Sequence, residues 1–333
     1  MKLFQPNNLS RTRAEFTPVN NQGIVSLLER QYGVLNPRVS VFAGANVSAN
    51  NFKIETPATE CFLKSRSLAA LDKTQQEAEL TFALSERGQK VPHIIRSKDE
   101  RLVSVYEDRC WVLYEFQEGD YFSGRDRELS SAAKVFGELT RAAQSLFPKT
   151  ELNVLPNGLP DLLNRSAIPA NHRATILNNL SRAEQHRALL NSDWRPVHLD
   201  YHPLNLLMND DAVACIVDLE HLKPHPVVVG LGFAGYKLIR QAMVNEEFRA
   251  REAHERTAVQ TWLRGWQESF ANDQFTDDEL GLGASARILT LIHMILDASL
   301  NRGDDRSTYD LEKQILSLYE VDVIFSRKTA DRL

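Results

Sequence analysis

The chain has 333 residues, 43% of them hydrophobic and 25% charged, enough for two domains or two lobes around a substantial core. Lys and Arg number 39 against 44 Asp and Glu, a net charge of −5, so there is no sequence-wide basic field of the kind nucleic-acid binders use. Cys61, Cys110 and Cys215 sit apart inside apolar runs, no window of about 20 residues lacks charge, and no signal-length apolar stretch opens the chain; a cytoplasmic protein with reduced thiols, no membrane and no nucleic-acid partner is expected.

An irregular segment, residues 1–24, precedes helical apolar spacing from Gly23 to Tyr32. The period then falls to two in VSVFAG, NFKIET and ECFLKSR, which predicts three strands. Thr74 to Gly88 reads as a helix closed by glycine. VPHII and two more strand-like runs follow, LVSVYE and CWVLYEF, with Asp108 and Arg109 as the hairpin turn. The polar stretch QEGDYFSG breaks this pattern, so a sheet-based lobe over 25–117 and a second lobe over 118–333 are expected. Beyond it, helices are predicted at 127–147, 172–190, 232–272 with interruptions, 277–300 and 308–320. One β-like island, LNLLMNDDAVACIVDLE, lies among them with Asn209-Asp210-Asp211 as its turn. The fold class expected is α+β.

The island is preceded by the most specific pattern in the chain. His198-Leu-Asp200 is followed by four residues and Asn205, and Asp218 closes an apolar run thirteen residues after the asparagine. Phosphoryl transfer needs a carboxylate to orient and deprotonate an attacking hydroxyl, and oxygen ligands for a magnesium ion that neutralises the phosphates. Asp200, Asn205 and Asp218 have that chemistry in that order. A solvated turn built from Asp, Asn and Pro would explain the first part but not Asp218 at the matching distance.

HLDYHPLNLLM followed by IVDLE resembles the catalytic loop and metal-binding strand of the aminoglycoside phosphotransferase and choline kinase family, small-molecule relatives of protein kinases. The resemblance covers roughly residues 25 to 320 and implies a bilobal protein-kinase-like fold, with a small antiparallel-sheet lobe carrying one helix and a mainly helical lobe. It implies Asp200 as catalytic base, His198 as an orienting residue, and Asn205 and Asp218 as Mg2+ ligands. Such a kinase also needs a strand lysine on the nucleotide phosphates and a helix glutamate to fix it. Lys64 ends the run Cys61-Phe62-Leu63, and Glu77 lies thirteen residues later on the next helix, with Glu79 as a competing partner. CWVLYEFQEG resembles the hinge strand, where backbone groups of Glu115 and Phe116 would face adenine. The turn from Phe42 to Asn51 carries one glycine, so backbone amides and Ser48 would cover the phosphates unless it is an ordinary hairpin turn. The expected activity is transfer of the γ-phosphate of ATP or GTP to a hydroxyl of an aminoglycoside, amino sugar, sugar or amino alcohol.

Three other readings compete. A kinase-like module that binds nucleotide without catalysis is opposed by the filled positions Lys64, Asp200, Asn205 and Asp218. Gly230-x-Gly232-x-x-Gly235 matches the dinucleotide fingerprint of an oxidoreductase, but that fingerprint needs a βαβ context that the downstream helical pattern lacks. His198 with His202, and His221 with His225, have zinc-ligand spacing for a helix, which Pro203, Pro224 and Pro226 oppose.

Overall fold

The computed structural model describes residues 15–42, 51–148, 154–244, 254–302 and 307–325. Its elements in chain order are β1 (Phe16–Pro18), α1 (Gln22–Leu27) continuing as a wide π turn, β2 (Arg38–Phe42), β3 (Asn51–Glu55), β4 (Glu60–Ser67) and α2 (Leu71–Ser85). There follow β5 (Ile94–Ile95), β6 (Ser104–Tyr106), β7 (Arg109–Glu115), β8 (Asp120–Tyr121), α3 (Asp126–Ala143), α4 (Leu159–Arg165), α5 (Ala170–Gln185) and α6 (Arg187–Leu190). The chain continues with β9 (Trp194–His198), β10 (Leu206–Asn209), β11 (Ala212–Ile216), β12 (Leu222–Pro226), α7 (Val227–Val244), α8 (His254–Gln267), α9 (Asp277–Arg302) and α10 (Ser307–Phe325). The fold is α+β: an antiparallel-sheet lobe followed by a mainly helical one.

Two compact units emerge. One contains the described residues up to Phe122 together with Leu204–Glu220; the other contains Ser123–Pro203 and the chain from His221 onward. The first is an antiparallel sheet in the order β1-β2-β3-β4-β7-β5, with β6 also on β7. Both faces of β7 are buried, and the period of two assigns its side chains. Trp111 and Leu113 pack with Ile24, Leu27 and Leu28 of the α1 region, whereas Cys110, Val112 and Tyr114 face Ala78 of α2. Asn21 accepts a hydrogen bond from the Ile24 N–H at 3.1 Å, which caps α1.

The segment called irregular in the sequence holds β1, whose three residues pair with β2; a run so short carries no periodicity to read. The β6–β7 turn falls at Glu107 and Asp108, one residue earlier than expected, because Arg109 already pairs with Tyr106 and Glu107 takes a positive φ of 54°. The β10–β11 hairpin belongs with the sheet unit because β10 pairs with β8 and Lys90 reaches into it, donating from Nζ to the Val213 carbonyl at 2.6 Å.

The second unit packs α7 against α9 over a core that includes Phe136, Tyr201, Trp262 and Trp266, whose rings lie 4.9 to 5.9 Å apart around Phe136. Helices α7 and α9 have the length and hydropathy of membrane spans, but 83% and 61% of those windows are buried in the protein. The glycine fingerprint is resolved here against a dinucleotide fold. Gly230, Gly232 and Gly235 lie inside α7 rather than on a strand-to-helix turn, and a Cβ on Gly232 would stand 2.2 Å from the Leu280 carbonyl oxygen. These glycines let helices approach closely. The β9–β12 ribbon was not anticipated, since Pro196, Pro224 and Pro226 argue against strands; a two-stranded ribbon has only edges, where proline is tolerated.

Candidate active site

In the sheet unit the site is built on strand alternation. Phe62 packs on the α2 side of β4, so Lys64 and Arg66, two and four residues on, point the same way. Lys64 lies mid-strand rather than at the strand end expected, because β4 runs on to Ser67. Glu77 of α2 receives both cations: Lys64 Nζ is 3.4 Å from Oε1 and Arg66 Nη2 is 2.6 Å from Oε2. Of the two candidate glutamates, Glu77 is the one in reach, while Glu79 accepts from Gln75 on an exposed face. Lys64 donates more closely to Asp218 Oδ1, at 2.7 Å. Arg66 also contacts Glu220 at 3.0 Å, and Lys73 joins the same oxygen at 3.2 Å. Burial disfavours the Arg66 guanidinium charge, but Glu77, Glu220 and Asp218 outweigh it and hold its pKa above the ordinary value.

Asp218 follows β11 with φ of +64°, a left-handed conformation held by its surroundings. Asn205 is buried, and its carbonyl accepts from the Val217 N–H at 2.9 Å, which keeps the asparagine beside the segment that carries Asp218. An amide oxygen and a carboxylate are hard donors suited to Mg2+, which commonly takes one or two protein ligands and completes its shell with phosphates and water. Among the described residues no group of three or more His, Cys, Asp and Glu could hold a metal ion by itself. An amide oxygen and a carboxylate fit a hard divalent cation that arrives with a nucleotide.

The strand expected to face adenine, β7, ends at Glu115 and is followed by Phe116. The N–H groups of Glu115 and Phe116 are both used within the sheet, donating to the His93 and Glu60 carbonyls at 2.9 and 3.1 Å. These two donors are spent. Ser48 lies outside the described residues, and so does most of the turn around it.

In the helical unit, His198 ends β9, is buried, and accepts the Asp200 N–H on Nδ1 at 3.1 Å. The Leu199 N–H donates to the His221 carbonyl at 3.1 Å, and Tyr201 OH to the Ala132 carbonyl at 2.9 Å. The loop is thus fixed on both sides of Asp200. The Asp200 carboxylate lies 3.5 Å from His202 Nε2. Burial would raise its pKa, yet His202, His198 and His221 together lower it to about 2.

A family model described as the phosphotransferase enzyme family, APH, matches residues 41–268. The chain belongs to the phosphotransferase enzyme family. No curated protein sequence matches it significantly. Among solved structures, an amicoumacin kinase in complex with AMP-PNP, Ca2+ and Ami is similar at TM-score 0.65 and 14% identity, covering 92% of this chain and 96% of that one. A spectinomycin phosphotransferase in complex with ADP is similar at TM-score 0.62 and 13% identity, covering 93% and 99%. A microcompartment-associated aminopropanol kinase is similar at 0.61 and 14%, covering 90% and 94%. At these identities the likeness concerns the fold; with the family match, this phosphotransferase is a small-molecule kinase.

Sequence reasoning missed Arg66, although its place two residues after Lys64 on a strand was the signal for a second cation on the same face. Within this phosphotransferase Glu220 pairs with Arg66 and Lys73, Asp297 accepts from Asn301 at 2.7 Å, and buried Arg240 pairs with Glu320 at 2.7 Å.

Proposed function

We propose that this phosphotransferase moves the γ-phosphate of ATP or GTP to a hydroxyl group of a small molecule, with Mg2+ as cofactor, in the cytoplasm. The observation that supports it most directly is the meeting of Lys64 with Glu77 and Asp218 at 3.4 and 2.7 Å. Lys64 takes the nucleotide phosphates, and Glu77 holds it by charge from one side. Asn205 and Asp218 hold the metal, which when bound neutralises charge on the phosphates. The sheet lobe is the nucleotide-binding part and the helical lobe carries the acceptor. At the hinge strand the first backbone donor left for a base is the Gln117 N–H, which has no partner among the described residues.

Asp200 accepts a hydrogen bond from the acceptor hydroxyl. As that oxygen bonds to the γ-phosphorus, the bond to the bridging oxygen breaks, the nucleoside diphosphate leaves, and the hydroxyl proton passes to Asp200. A carboxylate with a pKa of about 2 is ionised at neutral pH and acts by orienting the nucleophile more than by strong basicity. His198 steadies the loop through the Asp200 N–H. No covalent enzyme intermediate is required.

The similar structures include kinases named for amicoumacin, spectinomycin and aminopropanol, which supports a first panel of antibiotic, amino-sugar, sugar and amino-alcohol hydroxyls. ADP release with Mg-ATP against that panel is the test, with Asp200→Asn alongside. Acceptor-dependent release that falls about 10²-fold or more in the variant, with ATP affinity unchanged, is expected. A variant that turns over like the parent, or loses nucleotide binding along with activity, overturns the role of Asp200.

A further inference from the structure

Two cations in the helical unit, the half-buried Lys237 and the buried Arg287, have no ion pair among the described residues. Lys237 lies on α7, four residues after Phe233 and so on the same helical face. Arg287 lies on α9, one turn beyond Gly283, where the helices touch so closely that a Cβ on that glycine would stand 2.0 Å from the Val228 carbonyl oxygen. This approach brings both cations to one ring: Lys237 Nζ is 5.0 Å and Arg287 Cζ 5.9 Å from the Phe233 centroid. Arg287 is only 9% exposed, and its buried Nε makes no hydrogen bond. Neither side chain has an ion pair among the described residues.

The nearby acids are engaged elsewhere. Glu320 pairs with Arg240 at 2.7 Å and accepts the Tyr236 hydroxyl at 2.7 Å. The Asp200 carboxylate lies against His202. Burial, with Lys313 and Arg240 adding repulsion, lowers Lys237 to about 7, and the charges of Asp200 and Glu320 offset only part of this. Burial likewise lowers Arg287, against which the charge of Asp200 acts. Half-buried His225 is pushed down to about 3 by burial and by the charges of Arg287 and Lys223, so it is neutral at physiological pH and adds no further positive charge. A buried unpaired charge is costly, and an anion brought by a ligand would relieve it.

We propose that the acceptor alcohol carries an anionic group, a carboxylate or a phosphate monoester, which Lys237 and Arg287 seat beside Phe233 while its hydroxyl is presented to Asp200. The proposal rests on the phosphotransferase reading of Asp200 and narrows it. A cationic amine would meet repulsion at the same place, which sets this acceptor apart from an aminopropanol or an amino sugar lacking an acidic group. The guanidinium suits bidentate capture of either anion, and the ammonium supplies a point charge.

The test uses thermal unfolding of the full chain, as wild type, Lys237→Met, Arg287→Met and Arg287→Gln, at constant ionic strength. Inorganic phosphate, glycerate, glycerol phosphate and 3-amino-1-propanol are added against a sodium chloride reference. For ligand-free protein, each Met variant is expected to melt at or above the wild type, since a charge without an ion pair, buried at Arg287 and half-buried at Lys237, has been removed. In the wild type, phosphate and at least one anionic alcohol should raise the melting temperature by roughly 3–5 °C at about ten times the dissociation constant, and the variants should lose that gain. Glycerate against glycerol phosphate separates carboxylate from phosphate. Variants that melt well below the wild type, equal anion responses in all four proteins, or a response to the amine alone would overturn the proposal. Mg-ATP in the same assay reports on the kinase reading separately: a wild type that ignores Mg-ATP refutes that reading whatever the anions do.

Discussion

Glu77 bears on both the stability of the sheet unit and its proposed nucleotide chemistry, so Glu77→Gln tests the two together. Its side chain is 7% exposed and holds Lys64 at 3.4 Å and Arg66 at 2.6 Å. Removing one member of a buried ion pair usually costs about 3–5 kcal/mol. Here the cost is smaller because each cation keeps a second carboxylate, Asp218 at 2.7 Å for Lys64 and Glu220 at 3.0 Å for Arg66. An expectation of about 2 kcal/mol follows, or roughly 4–8 °C in melting temperature. With Glu77 neutral, Lys64 is left to Asp218 and is no longer positioned for phosphate. Forfeiting about 1.4 kcal/mol of a charged hydrogen bond corresponds to about tenfold weaker Mg-ATP binding. Circular dichroism melts and calorimetric ATP titrations read the two effects. Glu79→Gln is the control, since Glu79 is exposed and bonds only to Gln75 among the contacts described. The reasoning fails if Glu77→Gln melts and binds ATP like the wild type, or if Glu79→Gln matches it.

Gly232→Val should abolish cooperative unfolding of the helical unit in differential scanning calorimetry, because the backbone carbonyl of Leu280, 2.2 Å from the new Cβ, cannot move aside as a side chain could. The Asp200 carboxyl, lowered to about 2 from an ordinary value near 3.9, contributes stability that is present above about pH 4 and lost as the pH falls toward 2; acid titrations of Asp200→Asn should show a shallower loss across that window. Lys237, lowered to about 7 by burial and by Lys313 and Arg240, leaves the unfolded chain holding the extra proton between about pH 7 and 10, so stability should rise with pH there and Lys237→Met should flatten the rise in urea titrations. Cys215 is buried and its thiol is pushed up to about 12, so iodoacetamide at pH 8 should spare it in the native protein and modify it in urea, as mass spectrometry would read.

Much of this protein is legible in its sequence because the relevant signals are local. Alternation in CFLKSR and CWVLYEF fixes strands, and His198, Asp200, Asn205 and Asp218 keep a spacing set by one short loop and one hairpin. Helices such as α3 declare themselves by apolar periodicity. Short elements escaped: β1 has three residues, β8 two, and α4 opens at a proline, so none repeats long enough to show a period.

Other features depend on partners distant in sequence. Glu77 and Glu79 are equivalent in sequence until the helix is placed on its sheet, and only then does one face Lys64 and the other solvent. The Gly230 to Gly235 run reads equally as a nucleotide turn or a helix contact until the Leu280 carbonyl is found against it. The N–H groups of Glu115 and Phe116 look available until His93 and Glu60 take them. Lys237 and Arg287 are ordinary helix cations in sequence, fifty residues apart, and only helix packing places them on one ring with no ion pair among the described residues. The sequence by itself determined the element types and the order of the chemical groups, because those depend on neighbours along the chain. Tertiary structure alone decided which charges are paired, which donors are spent and which cations are buried, because each of these is set by atoms brought together across the fold.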